Sequence, residues 1–190
     1  MKVLILDGSR EGDSLTPVAV LGMTSALAGR VDNVELFKLR DLVIAPCAGC
    51  FGCWTRTPGE CVIEDSARDV LRSYVGSDIV VYATPVTFGG YSSQLKKILD
   101  RFIPVLDPRF TTVGSEVRHL LRYRRCPKTI GLGTLPSPDA EAERLFARLV
   151  VQNGLNIHQT VESIVLVGVA DPESARCSAE KLLERAGVTS

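Results

Sequence analysis

Asp78-Ile79-Val80-Val81-Tyr82-Ala83-Thr84-Pro85-Val86-Thr87-Phe88-Gly89-Gly90-Tyr91-Ser92-Ser93-Gln94-Leu95 reads as a strand, a loop and the start of a helix. Asp78–Ala83 is β-branched and apolar without alternation, the pattern of a strand buried on both faces of a parallel sheet. The chain turns at Thr84-Pro85 and passes the pair Gly89-Gly90. Ser92–Phe102 is then helical, with Leu95, Ile98, Leu99 and Phe102 spaced to face a core.

The same grammar runs outward in both directions. Lys2–Leu6 is a short apolar run ending in a turn-rich segment, Asp7–Ser14, and Leu15–Ala28 is a helix stopped by Gly29. Val34–Leu39 reads as a second strand and Ser66–Val75 as a helix capped by Asp65 or Ser66. Lys128–Gly133 is a fourth strand, Asp139–Asn153 a helix, Ser163–Val169 a fifth strand and Pro172–Ala186 a closing helix. Pro104–Pro127 reads as an irregular excursion. Five strands alternating with five helices specify an α/β fold, a parallel sheet covered on both faces. Ligands of such sheets sit beyond the strand C-termini, where Asp7–Ser14, Thr84–Tyr91 and Gly131–Thr134 fall.

Each of these loops suggests chemistry. Gly8-Ser9-Arg10-Glu11-Gly12-Asp13-Ser14 precedes a helix, whose free N–H groups and dipole favour an anion. It matches neither the dinucleotide glycine pattern nor the P-loop, which points to a mononucleotide phosphate held by hydroxyls and amides. An ordinary strand-to-helix turn, with Asp13 capping the helix, uses the same residues. In the second loop Pro85 fixes the backbone, Phe88 and Tyr91 offer aromatic edges, and the two glycines let a flat ring approach. Gly131-Leu132-Gly133-Thr134 is short and permissive.

Asp41–Asp65 carries four of the six cysteines, as Cys47-Ala-Gly-Cys50-Phe-Gly-Cys53 and then Cys61. Thiols at successive three-residue steps can converge on an iron–sulfur cluster. Structural zinc, which prefers two separated cysteine pairs, and thiols that hold no metal are the other readings. Cys126 and Cys177 stand alone and read as packing residues. His119 and His158 read as surface or satisfied core residues, and no Ser-His-Asp or Cys-His arrangement supports hydrolysis.

Composition narrows the classes. The 190 residues are 45% hydrophobic, enough for one globular domain over 1–190, and 22 basic side chains balance 22 acidic ones. No general attraction to nucleic acid follows. The basic stretch Arg118, Arg122, Arg124, Arg125, Lys128 reads as a solvated or subunit-facing surface. Met1-Lys2 leads straight into Val3–Leu6, too short for a secretory h-region, and no apolar run reaches membrane-spanning length. The chain reads as cytoplasmic, where clustered thiols argue for metal or redox chemistry over disulfides.

Taken together, Gly8-Ser9-Arg10, the Cys47/Cys50/Cys53/Cys61 spacing and Ala83 through Lys96 resemble the NADPH-dependent FMN reductase family, and within it the iron–sulfur flavoproteins. The resemblance implies a flavodoxin-like three-layer sandwich with a five-stranded parallel sheet of order 2-1-3-4-5. It implies FMN, with Ser9, Arg10, Asp13 and Ser14 around its phosphate. Thr84, Pro85, Val86, Thr87, Phe88 and Gly89 would line the ring, with Gly133 and Thr134 closing it. Cys47, Cys50, Cys53 and Cys61 would ligate a [4Fe-4S] cluster. The implied activity is NAD(P)H oxidation through FMN, delivered to a small-molecule or redox-protein acceptor by a homodimer or homotetramer. An electron carrier serving protein partners, with no substrate of its own, is the alternative.

Overall fold

Apolar runs and breakers divide the chain as their periodicity requires. The computed structural model describes residues 1–159 and 161–188. In chain order the elements are β1 (Lys2–Asp7), α1 (Leu15–Leu27), β2 (Asn33–Lys38), α2 (Gly52–Thr55), α3 (Ala67–Val75), β3 (Ile79–Pro85) and α4 (Ser93–Leu99). They continue with β4 (Leu106–Val113), β5 (Glu116–Leu121), β6 (Lys128–Leu135), α5 (Ala140–Asn156), β7 (Val161–Val167) and α6 (Pro172–Arg185).

Five strands form one parallel sheet in the order β2-β1-β3-β6-β7, and β4 pairs with β5 alone. In chain numbering this is 2-1-3-6-7 rather than the expected 2-1-3-4-5, because a hairpin not foreseen in the sequence contributes two strands before β6. Val3 lies beside both Val34 and Ile79, Ile79 beside Lys128, and Thr129 beside Val161. The central strands bury every residue from Val3 to Asp7 and from Ile79 to Thr84, which is why their sequences show no alternation.

Side chains of one parity, including Val3, Ile5, Val81 and Ile130, pack under α1 and α6. The other parity, including Leu4, Leu6, Val80 and Tyr82, packs under α3 and α4. Helix α5 covers that second face at β6, where Gly131 and Gly133 leave room. A Cβ on Gly131 would stand 2.7 Å from Val150, and one on Gly133 would stand 3.0 Å from Phe146. On the first face, α1 and α6 approach so closely that a Cβ on Gly22 would lie 2.5 Å from the Cβ of Ala175.

The expected irregular excursion is therefore a β-hairpin followed by a short connection. Val113 and Glu116 flank Gly114-Ser115, with Gly114 at φ +62°, as a tight two-residue turn needs. Pro108 and a register shift between Leu106 and Phe110 break the alternation that would have marked the strand. The fourth helix is also shorter than expected. It ends at Leu99, and the amides of Arg101 and Phe102 bond to Ile98 and Leu99 in a tighter turn. Asp65, with its Oδ1 3.0 Å from the Ala67 amide, caps α3, and Ser66 makes no side-chain cap.

Candidate functional site

The three loops predicted to hold a ligand meet at one rim and are tied together there. Ser92, the N-cap of α4, donates from Oγ to the carbonyl of Gly8 at 2.6 Å and accepts from the amide of Leu95. Its own amide donates to Thr84 Oγ1 at 2.9 Å. Thr16 and Thr134 share a buried hydroxyl–hydroxyl bond of 2.8 Å, which joins the first helix to the third loop. A Cβ on Gly8 would stand 2.8 Å from Leu95, so only glycine lets the first loop sit this close to α4.

The first loop turns at Arg10–Asp13, where the Asp13 amide bonds to the Arg10 carbonyl and Gly12 takes φ +77°. Asp13 Oδ1 accepts from the amides of Leu15 and Thr16, so this carboxylate caps α1. Arg10 and Ser14 stand exposed on the rim, whereas Ser9 is fully buried. Its amide donates to Asp7 Oδ1 at 2.8 Å, yet its hydroxyl has no partner among the described residues.

The second loop closes as a tight hairpin. Thr87 and Gly90 exchange both backbone bonds at 2.9 Å, and the two residues between them, Phe88 and Gly89, have φ of +50° and +73°. A phenylalanine in the left-handed region costs about 1–2 kcal/mol. That conformation holds the Phe88 ring wholly in solvent, at 103% relative exposure. Thr87 Oγ1 is buried and unpartnered among the described residues, like Ser9 Oγ. Asp13 Oδ2, in the first loop, is likewise buried and unpartnered among the described residues, as are the core hydroxyls of Tyr74 and Thr129, so it is the place of the two loop hydroxyls on the rim that makes them candidates to meet a ligand.

Other predicted residues serve the scaffold of the site. Thr84 Oγ1 accepts from Ser92 and donates to the Pro85 carbonyl, so its hydrogen-bonding capacity is largely used. The space above Gly133 is filled by Val86, Phe146 and Val165, and Thr134 is bonded to Thr16. Pro85, Val86 and Gly89 stay on the rim, with the Val86 amide anchored to the Thr134 carbonyl at 2.9 Å.

The cysteine loop forms the second feature. Cys47, Cys50, Cys53 and Cys61 all line one pocket of about 320 Å³, together with Asp100 and Ile103. Cys47 and Cys50 are exposed, Cys53 is buried in α2 and Cys61 is half-buried. Among the described residues no three metal-ligating side chains are already drawn together as a metal-ion site. Burial pushes the Cys53 thiol pKa up, and the neighbouring sulfurs of Cys61, Cys47 and Cys50 push it in the same direction. The left-handed Phe51 and Gly49 turn the chain around this pocket. Trp54 Nε1 pins it by donating to the carbonyls of Ile103 and Leu106 at 2.9 and 3.0 Å.

Sequence reasoning missed Arg101, which is fully buried beneath this loop. Its guanidinium donates to both oxygens of Asp65 at 2.8 and 3.1 Å, to the Ala45 carbonyl at 2.8 Å, and to Cys61 Sγ and the Ile63 carbonyl at 3.4 Å. The signal was a charge three residues beyond Ile98, continuing the apolar stripe of α4 just past its C-terminus. Cys126 packs as expected, with burial raising its pKa to about 11, but Cys177 is exposed on α6. Both histidines find partners. His119 Nδ1 meets the Asp107 carbonyl and His158 Nε2 the His119 carbonyl, each at 2.8 Å. No helix among the described residues is long and apolar enough to cross a membrane.

The chain is 33% identical over 105 residues to an iron-sulfur flavoprotein of Methanocaldococcus jannaschii, covering 55% of this chain and 53% of that one. An iron-sulfur flavoprotein of Methanosarcina thermophila is 28% identical over 104 residues, at 54% and 53% coverage. The chain thus spans about half the length of the curated relatives it matches. Its fold is similar to that of an NAD(P)H:quinone oxidoreductase from Methanothermobacter marburgensis, with TM-score 0.68, 14% identity and coverage of 95% and 96%. A FMN-dependent NADH-azoreductase from Bacillus anthracis, solved in complex with FMN, gives TM-score 0.60 at 17% identity, covering 98% and 97%. The model of one family matches residues 1–115, a span that includes the first two rim loops and all four clustered cysteines. The chain belongs to the NADPH-dependent FMN reductase family.

Proposed function

We propose that the protein is an FMN-dependent NAD(P)H oxidoreductase that passes electrons from a nicotinamide nucleotide to a small-molecule or redox-protein acceptor. The observation that carries this reading is the welded rim, with its two unpartnered buried hydroxyls, Ser9 Oγ and Thr87 Oγ1. Both lie within the span matched by the family. Ser9, Arg10 and Ser14 hold the FMN phosphate, and the backbone from Pro85 to Gly89 lies along the ring. Asp13, Thr84, Gly133 and Thr134 act one step back, by fixing these loops through the hydrogen bonds and packing described above. Bound FMN supplies hydride acceptance and single-electron release, chemistry that belongs to the cofactor. The chain's own part is placement: the loops set the ring's position, and the strained Phe88 presents an aromatic face at the rim. No side chain is required as a general acid or base.

The four-cysteine pocket holds a [4Fe-4S] cluster in this reading. Four thiols on one pocket suit it, as do the names of the curated relatives. Absorption spectroscopy with iron, sulfide and zinc analysis, on protein purified without oxygen, tests both cofactors at once. Flavin bands with about four irons per chain are expected, as is NAD(P)H oxidation with small acceptors and no partner protein. Cys50→Ser should remove the iron and leave the flavin. Protein with neither flavin absorbance nor measurable FMN affinity would overturn the reading.

A further inference from the structure

An interior cavity lies beneath the connection between α4 and the hairpin, on the sheet face opposite α1 and α6. It measures about 130 Å³ and has apolar walls from Leu99, Phe102, Ile103 and Leu106. Tyr74 from α3, Tyr82 from β3 and Asn153 from α5 supply the polar part of its lining. Asn156, exposed at the end of α5, forms the outer edge. No charged side chain lines it among the described residues. Volume limits what fits: an apolar cavity of about 150 Å³ stays dry and takes in a single benzene ring.

Hydroxyls with unmet capacity gather where the cavity meets the sheet. Tyr74 is 1% exposed, and its hydroxyl has no partner among the described residues. The Thr129 hydroxyl, equally buried, is likewise unpartnered. Tyr82 neighbours both and itself lines the cavity. Burial pushes the pKa of Tyr74 and of Tyr82 up, so both stay neutral O–H donors. Asn153 gives its side-chain N–H to the Tyr91 hydroxyl at 2.8 Å, which leaves its Oδ1 as an acceptor. Buried hydroxyls are nearly always satisfied, so two unmet ones beside Tyr82 mark room for one hydroxyl more. A one-ring volume, apolar walls, a polar end and no charge select a neutral monocyclic phenol.

The walls connect this cavity to both sites described above. The carbonyls of Ile103 and Leu106 receive the Trp54 Nε1 bonds that pin the cysteine loop. Asn153 holds Tyr91, at the end of the second rim loop. We propose that the cavity binds a neutral monocyclic phenol, its ring among Leu99, Phe102 and Leu106 and its hydroxyl at Tyr82. A phenol accepts no hydride, so it is held here as a ligand and not as the electron acceptor. The binding rests on none of the cofactor assignments above. Once seated, the ring braces α4, the hairpin and α5 against one another.

The probes are 4-fluorophenol, 4-fluorotoluene and 4-fluorobenzoate, followed by fluorine NMR on the as-purified protein with its flavin absorbance recorded alongside. The phenol should bind with a dissociation constant below about 1 mM and raise the melting temperature. The benzoate, whose charge finds no partner, should not bind. Leu99→Phe and Leu106→Phe each fill the cavity from a half-buried position and should weaken the phenol at least about tenfold. They lie on different elements, so one stays informative if the other folds poorly. The double variant Tyr74→Phe/Tyr82→Phe keeps both rings and removes their hydroxyls. It should weaken 4-fluorophenol about 3–10-fold and leave 4-fluorotoluene unchanged. Equal affinity of wild type and both filling variants would overturn the proposal, as would a double variant that treats the two neutral probes alike. A change in flavin absorbance on adding the phenol that persists in Leu99→Phe would place it on the rim and overturn the proposal too. Protein without flavin or FMN affinity that still binds the phenol as expected refutes the oxidoreductase reading alone.

Discussion

Replacing Arg101 by methionine removes a buried charge that grips both ends of the cysteine loop. The guanidinium is fully buried and binds Ala45 on the entering side and Cys61, Ile63 and Asp65 on the leaving side. The variant leaves the Asp65 carboxylate, 8% exposed, without its counterion. Breaking a buried pair from one side costs about 3–5 kcal/mol. Asp65 keeps two backbone donors, from Ala45 at 2.8 Å and Ala67 at 3.0 Å, which places the loss near the lower end, about 3 kcal/mol. With a urea m-value of about 1–3 kcal/mol/M, the unfolding midpoint should fall by at least about 1 M. Arg101→Lys should recover only part of this, because an ammonium cannot reproduce the two-pronged contact.

Two further readouts separate this mechanism from loss of packing. The double variant Arg101→Met/Asp65→Asn should be more stable than Arg101→Met alone, since no unpaired charge stays buried. Acid should act through Asp65 as well. Burial pushes its pKa up, but Arg101 and the amides of Ala45 and Ala67 outweigh this and hold it below the usual carboxylate value. A depressed folded pKa means stabilisation that is complete above about pH 3.9 and is lost as pH falls through the folded value. In Asp65→Asn this acid-sensitive component should vanish. Arg101→Met within about 1 kcal/mol of wild type, or a double variant no better than the single one, would refute the reasoning.

Ser9→Ala should leave the flavin-free protein as stable as wild type, because it deletes an unpartnered hydroxyl, while FMN affinity measured by fluorescence quenching falls about 3–10-fold. Phe88→Ala should not shift the melting temperature, since the ring is wholly exposed, but should lower kcat/KM for NAD(P)H in steady-state assays. Gly22→Ala drives a methyl into the backbone of Ala175 and Arg176, at 2.7 Å from each, where no flexible side chain can yield. Such overpacking should cost about 1–3 kcal/mol in denaturant unfolding.

The central sheet was legible because Val3–Leu6, Ile79–Ala83 and Thr129–Gly133 are buried on both faces, so hydrophobicity alone reports them. The hairpin was not, since Leu106–Val113 and Glu116–Leu121 expose much of their surface and a proline and a bulge disturb their period. Loop chemistry showed the same division. Glycines and hydroxyls announced a rim, but the sequence could not say which hydroxyls face a ligand. Ser9 and Thr87 are left unpartnered among the described residues, while Thr84 bonds to Ser92 and Thr134 to Thr16. That choice depends on partners more than eighty residues away, such as Gly8 for Ser92 and Thr134 for Thr16. Arg101 escaped for a related reason. Its counterion arrives from a loop thirty-six residues earlier, and helical spacing cannot reveal it.

The placement of α4 gives these details a common purpose. Its N-cap, Ser92, binds Gly8 and Thr84 and so holds the first two rim loops. Just past its C-terminus, Arg101 holds the cysteine loop, and Asp100 and Ile103 help to line the four-cysteine pocket. Nine residues at 1.5 Å each set the two anchors about 14 Å apart. Leu95 and Ile98, fully buried between them, lock this helix against the sheet, so the spacing resists change. The rim and the cysteine pocket are thereby built on one rigid strut instead of on two independent loops. A perturbation that loosens α4, such as Arg101→Met, should therefore disturb both sites in proportion, whereas Ser9→Ala should disturb the rim alone.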